Sequence, residues 1–259
     1  MRKVSQDELD VILEKHKEWL NDKRYGKRAD LSYFDLSHAN LSNANLRSSD
    51  LCYADLSHAD LSNANLHSSD LCYANLTHVN LRNADLQFSY LKNANLRKSN
   101  LTYGSLRFAF LSNVDLTGAN LRGADLCETT LIGAKLDGVI TDGETQGFNL
   151  ICPEEGSFIG WKKAKAVVNG YVLVKLLIPA DAKRSSGTTN KCRASKAKVL
   201  EMTLIETGER VSHAYSIMHI NFQYRTGEYA YPDSFDENRW DVCSNGIHFF
   251  MTKDEAIAY

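Results

Sequence analysis

Hydrophobic positions along residues 29–138 fall on a five-residue beat. Leucine occupies position 31 and every fifth residue after it through Leu136, giving 22 in a row. Neither the 3.6-residue helical period nor the two-residue strand period generates that beat, so it marks a repeat architecture. Two residues before each leucine stands a small residue such as Ala29, Ala39, Ala44 or Ser49, and only Phe34 in that series is large. The residue just before the leucine is Asp or Asn in 17 of the 22 pentads. Leucine and the small residue are predicted to point inward, as neighbours two apart do on a strand. The Asp or Asn is expected at a corner, bonding local backbone and tolerating turn geometry. The other positions, rich in Ser, Arg, Tyr, His, Asn and Lys, are expected to face water.

A longer period sets the size of the coil. LSHANLSNANLRSSDLCYAD (36–55) and LSHADLSNANLHSSDLCYAN (56–75) differ only at positions 40/60, 47/67 and 55/75. Twenty residues are four pentads, and so four sides. The repeat resembles the pentapeptide-repeat family, whose motif is A(D/N)LXX. The fold that resemblance implies is a β-solenoid, a right-handed quadrilateral β-helix. Twenty-two pentads make about five and a half coils, roughly 26 Å long at ~4.8 Å per stacked strand.

Before the repeats, residues 1–26 predict an amphipathic helix. Ser5 and Glu8 have capping-box spacing, Leu9, Ile12, Leu13, His16, Trp19 and Leu20 share one face, and Tyr25-Gly26 ends the helix. An open coil end exposes unpaired edges, so this helix is expected to cap the first coil, with Phe34 meeting Trp19. The repeat domain is read as 27–140. The stretch GVITDGETQG after Leu136 reads as a boundary.

From 148 to 259 the chain changes character and predicts a small, mostly-β α+β domain. AKAVV and YVLVKLLIP flank Asn169-Gly170, a two-residue hairpin signal. KAKVLEMTLIET, HINFQYRTGEYAYP and GIHFFM suggest further strands, and Thr252 to Glu255 is a capping box opening a short helix. The segments CPEEGSFIGWKKA, LLIPADAKRSSGTTNKCRASKAKVL and DENRWDVCSNGIHFFMT are similar to an uncharacterised C-terminal domain that follows pentapeptide repeats in bacterial and phage proteins. No activity comes with that resemblance.

Charge and composition narrow the functional classes. A formal net charge of −2 gives no global field toward nucleic acid or an anionic membrane. No run reaches a membrane span, the N-terminus lacks a signal-peptide apolar stretch, and six scattered cysteines lack CxxC pairs. A reducing, cytoplasmic setting is expected, with no cofactor and no metal. Ten Lys/Arg between Trp161 and Leu200 face one acid, whereas ten acids face four bases from Glu201 onward. Either these halves pair, or Lys183, Arg184, Ser185, Ser186, Lys191 and Arg193 form an anion-binding loop for a phosphate-bearing ligand. Cys243 and His248, with Asp241, His219 and His213 upstream, are weighed as a nucleophile–base or zinc set. A structural thiol and a core histidine are favoured instead.

The repeats offer columns of residues one coil apart. His38, His58 and His78 form one, Tyr33, Tyr53 and Tyr73 another, and Cys52 aligns with Cys72. Duplication alone generates these. Phe88, Tyr90, Phe108 and Phe110 differ, because they put four aromatics where the chain two coils earlier holds Ser48 and Asp50 and one coil later Glu128 and Thr130. Such a local patch is a candidate partner-binding surface, its candidate occupants the C-terminal domain folding back, which is favoured, a second copy or a foreign protein. The overall expectation is a non-enzymatic interaction scaffold with a protein partner or homodimer, no membrane, and no nucleic acid on the repeats. One branch of the resembling family mimics DNA and binds gyrase. With eleven acids against eight bases in 29–138, that role is a lesser alternative, as is a C-terminal domain that binds or processes a phosphate-bearing small molecule.

Overall fold

The computed structural model describes residues 1–148, 152–167, 169–219, 221–239, 241 and 244–259. The chain divides into two compact units, Met1–Phe148 and Asn149–Tyr259.

In the first unit, β1 (Arg2–Lys3) and α1 (Gln6–Asn21) precede the coils, and β1 pairs in parallel with β2 (Phe34–Asp35). From Asp30 on, each residue before a leucine bridges the residue twenty further along, as in Asp50 with Asp70 and Asp70 with Tyr90. A twenty-residue advance per coil with five residues per side makes the coil four-sided. The rungs are short backbone bonds, such as Leu71 N–H to Tyr90 O at 2.7 Å and Tyr90 N–H to Ser69 O at 2.9 Å. Each corner is a tight turn closed from the residue after it, as Ala39 N–H donates to Leu36 O at 3.0 Å. All leucines from Leu31 through Leu131 are buried, and Leu136 is only partly covered. Where serine replaces alanine in the core, its hydroxyl donates to a backbone carbonyl, as Ser69 Oγ does to Leu66 O at 2.6 Å.

Two details of the repeat differ from the sequence expectation. The Asp or Asn does bond local backbone: Asp60 Oδ1 accepts the Ser62 N–H at 2.9 Å. The turn strain, however, falls two residues after each leucine, where φ lies near +60° from Tyr33 to Asn113 without interruption. That position requires φ > 0, as the third residue of a type II turn does. Only the last five pentads supply glycine there, at Gly118, Gly123, Gly133 and Gly138, with Glu128 between them. The ladder therefore holds non-glycine residues in the left-handed region. The second difference lies at the far end. Residues 138–147 do not leave the ladder, because Ile140 still bridges Asn120 and Gln146 bridges Asp125. The last step spans twenty-one residues, and that insertion hides the beat.

Helix α1 starts at Ser5, whose side chain accepts the Glu8 N–H. Glu8 does not return the bond but pairs with Arg2. Leu9 and His16 are its buried residues. The His16 ring ties α1 to the coils: Nδ1 accepts from Ala29 N–H at 3.0 Å and Nε2 lies 3.1 Å from Arg47 O. Phe34 lies under the Arg2 guanidinium at 5.4 Å, while Trp19 stacks on His16 at 5.6 Å, so the expected Phe34–Trp19 contact is replaced by two others.

The second unit holds β3 (Phe158–Ala166), β4 (Tyr171–Ile178), β5 (Arg184–Ser186), β6 (Cys192–Ala194), β7 (Ala197–Leu204), β8 (His213–Tyr215), β9 (Gln223–Arg225), β10 (Tyr229–Ala230), β11 (Ile247–Phe249) and α2 (Lys253–Ala258). A six-stranded sheet runs β10-β7-β4-β3-β8-β9, and a three-stranded sheet runs β11-β6-β5. Ala164, Val172, Val174, Leu176, Val199 and Phe249 belong to the main core. Gly160 admits the Phe249 ring, which a Cβ there would meet at 2.5 Å. Ala256 of α2 packs with Leu173 and Phe250 in a second small cluster. Asn169-Gly170 is not a two-residue hairpin turn, since Lys165 pairs with Tyr171 and Ala166 N–H donates to Gly170 O. Gly170 takes the left-handed position at φ +90°. Thr252 and Glu255 form a complete capping box on α2.

Candidate functional site

On the repeat unit, side chains two residues after the leucine project outward from the left-handed corners and stack coil on coil. Tyr33, Tyr53 and Tyr73 stack at 4.8 Å between successive ring centres, and His38, His58 and His78 at 5.0 and 4.9 Å. Among the described residues no three His, Cys, Asp or Glu side chains are grouped to hold a metal. Cys52 and Cys72 are free thiols; burial, and then the Asp70 carboxylate, push both up, Cys72 to about 11.

The four aromatics singled out by sequence form two stacked pairs. Phe88 and Phe108 lie 5.0 Å apart, and Tyr90 and Phe110 lie 4.9 Å apart. Their exposures of 42%, 38%, 47% and 42% show that the unit leaves these rings uncovered. Phe88 and Tyr90 flank the buried Ser89, and Phe108 and Phe110 flank the buried Ala109. One column of bridges runs Asp30, Asp50, Asp70, Tyr90, Phe110, Thr130. That line therefore changes from carboxylates to aromatic rings halfway along. The Arg107 guanidinium sits 5.4 Å from the Phe108 ring and also pairs with Asp125 at 3.3 Å.

On the C-terminal unit, the six residues of the expected anion loop take different partners, with Ser185 and Arg193 opposite each other on paired strands. Ser185 and Ser186 are buried in β5, paired with β6. Arg184 spends its guanidinium on five backbone carbonyls, those of Ala182, Pro153, Gly156, Pro179 and Ala180, at 2.6 to 3.2 Å. Arg193 is 2% exposed and donates to Ser244 Oγ, Asn245 O and Asn238 O. Lys183 pairs with Glu237. These two arginines staple loops, because a buried guanidinium must fill its fork of donors. Lys191 alone of the six faces a cavity, its ammonium 5.3 Å from the Tyr259 ring.

That cavity has a volume of about 550 Å³. Lys162 and His248 lie on its wall with Lys191, and Phe222, Tyr224 and Tyr259 supply rings. His248 is held low, at about 3, by burial first and then by Lys191, Lys162 and Arg193. A backbone hydrogen bond at Ser244 acts the other way. Its Nε2 is buried without a hydrogen-bond partner among the described residues. Burial, and then Lys191, bring Lys162 down to about 8. His219 shares the cavity, whereas His213 is exposed on β8 away from it. Of the nucleophile or zinc set, His248 and His219 line this cavity and Asp241 lies outside its lining, while Cys243 lies outside the described residues. Elsewhere, the buried Cys152 and Cys192 share a hydrogen bond that holds Cys152 down and Cys192 up. Sequence reasoning counted Lys162 only as one of ten cations. Its spacing was informative, since Gly160, Ala164 and Ala166 on the same strand face are buried.

Comparison with known proteins agrees with both halves. Residues 27–63, 49–87, 80–118 and 105–140 match the model of pentapeptide repeats (8 copies), and residues 148–256 match a family of unknown function, DUF5758. No curated protein matches the chain. Among solved structures, the pentapeptide repeat protein Rfr23 from the cyanobacterium Cyanothece 51142 is 28% identical over 51% of this chain and 97% of its own, with a TM-score of 0.33. HetL from Nostoc sp. strain PCC 7120, involved in heterocyst differentiation regulation, is 30% identical over 44% of this chain and 60% of its own, with a TM-score of 0.24. A pentapeptide repeat protein of the Arabidopsis thaliana thylakoid lumen is 33% identical over 40% of this chain and 70% of its own, with a TM-score of 0.25. No described helix is long and apolar enough to cross a membrane. With its five-residue beat built into a four-sided β-coil and a family model matched on either side of residue 148, the chain is a pentapeptide-repeat protein whose repeats are followed by a DUF5758 domain.

Proposed function

We propose that this protein is a non-enzymatic interaction scaffold in which the repeat rod presents stacked side-chain columns to a protein partner. The reading rests on the two exposed aromatic pairs, Phe88 with Phe108 and Tyr90 with Phe110. A ladder built on Asp and Asn has no structural need of Tyr90 and Phe110 at its bridge positions. Four uncovered rings on a rigid frame supply the apolar centre that protein interfaces use, with Arg107 and Asp125 as a polar edge. The repeat interior, filled by leucine and small residues, leaves no room there for a reaction. Helix α1, bonded to the first coil through His16, serves as a cap against end-to-end stacking of rods.

The test is affinity capture from lysate of the source organism with full-length protein, the Phe88→Asp/Phe108→Asp variant and a chain ending at Gly147. A partner held by the full-length and Gly147-ended chains and lost by the double variant supports the reading. Equal recovery with and without the two phenylalanines, or a partner lost only on truncation, overturns the patch as the recognition surface.

A further inference from the structure

A coiled ladder left open at its first coil presents unpaired rung groups. Within the ladder, the Leu41 N–H donates to Asp60 O and the Asp60 N–H to Ala39 O, so each coil completes the one before it. No coil precedes the first, and the N-terminal segment takes that place. The Gln6 carboxamide completes both rung bonds of Asn40, its Oε1 accepting from the backbone N–H at 3.2 Å and its Nε2 donating to the carbonyl at 3.1 Å. The Val4 N–H donates to Asp35 O at 3.4 Å. His16 works in the same way, with Nδ1 on the Ala29 N–H at 3.0 Å and Nε2 on the Arg47 carbonyl at 3.1 Å. The equivalent carbonyl one coil later, His67 O, accepts from the Ser48 N–H. The ring thus stands in for a missing strand.

These bonds admit one protonation state of the ring. A carbonyl only accepts, so Nε2 carries the proton; an N–H only donates, so Nδ1 is bare. A second proton would set Nδ1–H against the Ala29 N–H and place a charge in a site with no exposed surface. From the coils, the Arg28 guanidinium acts on the ring and opposes that charge. Among the described residues no carboxylate acts on it. Lys27, Asp30 and Arg47, which adjoin it from the coils, are exposed. On α1 itself, Trp19 stacks on the ring, and Lys15, Lys17 and Glu18 are exposed. Leu9 and His16 are the buried residues of α1, so the ring is one of its two anchors.

We propose that α1 is an acid-released cap: protonation of His16 detaches the helix from the first coil and opens the rung positions of that coil. The proposal rests on the reading of α1 as a cap. Docked, His16 is neutral and held below its ordinary value of 6.5 by burial; released into water, it returns to that value. The released state therefore binds the proton more readily, and docking weakens as pH falls below about 6.5. Opening of the cap should rise by threefold or more, up to about thirtyfold, between pH 7.5 and 5. The corner carboxylates stay ionised over this range and contribute nothing to the change.

The test is amide hydrogen exchange on the full-length protein at pH 7.5 and 5, corrected for the intrinsic pH dependence of exchange. Ala29, Asn40 and the amides of α1 should lose protection on acidification, while Leu71 in the middle of the ladder keeps its own. His16→Gln is the companion variant, because a carboxamide can accept from Ala29 and donate to Arg47, as Gln6 does on Asn40, without titrating. It should remain docked at pH 5. Protection at Ala29 that changes by less than threefold in the wild type, or an equal loss in His16→Gln, overturns the acid release and leaves the cap reading standing. Absence of protection in α1 at pH 7.5 overturns both. If His16→Gln does not dock at pH 7.5, the ring nitrogen chemical shifts of wild-type His16 decide in its place. A proton on Nε2 at pH 7.5 and ring protonation in step with lost protection are expected. Ring protonation with protection intact overturns the proposal.

Discussion

Leu71 sits near the middle of the ladder with no exposed surface, bonded by its N–H to Tyr90 O in the next coil. Its side chain can be replaced only by a void, since the neighbouring coils are held at strand spacing by backbone bonds. Leu71→Ala is expected to cost ~2–5 kcal/mol in urea unfolding. Ser62→Ala keeps the backbone N–H that Asp60 accepts, and is expected within about 0.5 kcal/mol of wild type. Equal midpoints for the two variants would contradict the inward and outward assignment. The same scale explains why the corner was misread from sequence. Tyr, His, Ser and Phe at φ near +60° carry no glycine-like signature. Left-handed backbone costs roughly 1–2 kcal/mol per residue, and the rungs around each corner supply the compensation.

At the scale of elements, α1 depends on few contacts, and His16 makes two of them. Its ring accepts from Ala29 and meets Arg47 O while wholly buried. Burial lowers its pKa, which keeps the neutral tautomer this pair of bonds requires. His16→Phe removes both partners and leaves Ala29 N–H and Arg47 O unpaired under the helix. A cost of about 1–3 kcal/mol is expected, read as a lower urea midpoint and faster amide exchange at Ala29. Lys17→Ala, on the exposed face, should shift neither. The helix itself was legible, because Ser5 and the apolar spacing are local signals. The bonds of His16 were not, since they join residues 13 and 31 positions apart.

Over the whole molecule, the many corner carboxylates act together. Asp60 is held low chiefly by the Ser62 backbone bond, and Asp30 by the Ser32 hydroxyl. Burial opposes the shift at Asp70 and Asp115, where hydrogen bonds from Cys52 and Thr117 outweigh it. A carboxyl group whose folded value is depressed stabilises the folded state above its unfolded value, near 3.8, and loses that contribution as pH falls through the folded value. The melting temperature should therefore show no contribution from these groups between about pH 7 and 5 and fall below about pH 4. In Asp60→Asn, which keeps the acceptor without the charge, the fall should be smaller. An identical acid profile for the variant would remove this account.

The amino-acid sequence by itself determined the coil. A leucine every fifth residue, a small residue two before it and a twenty-residue duplication admit one way of stacking four sides, because each coil touches chiefly its neighbours. The strands and capped helix of the second unit were also written locally. Only the tertiary structure decided what the cations of that unit do. Arg184 and Arg193 lay in one basic segment with Lys191, yet pairing of β5 and β6 turned the arginines onto internal carbonyls and left Lys191 on the cavity. Lys162 and His248 are 86 residues apart, and no local pattern relates them. They share a wall because β3 and β11, of different sheets, are brought side by side at the Trp161–Phe250 bridge.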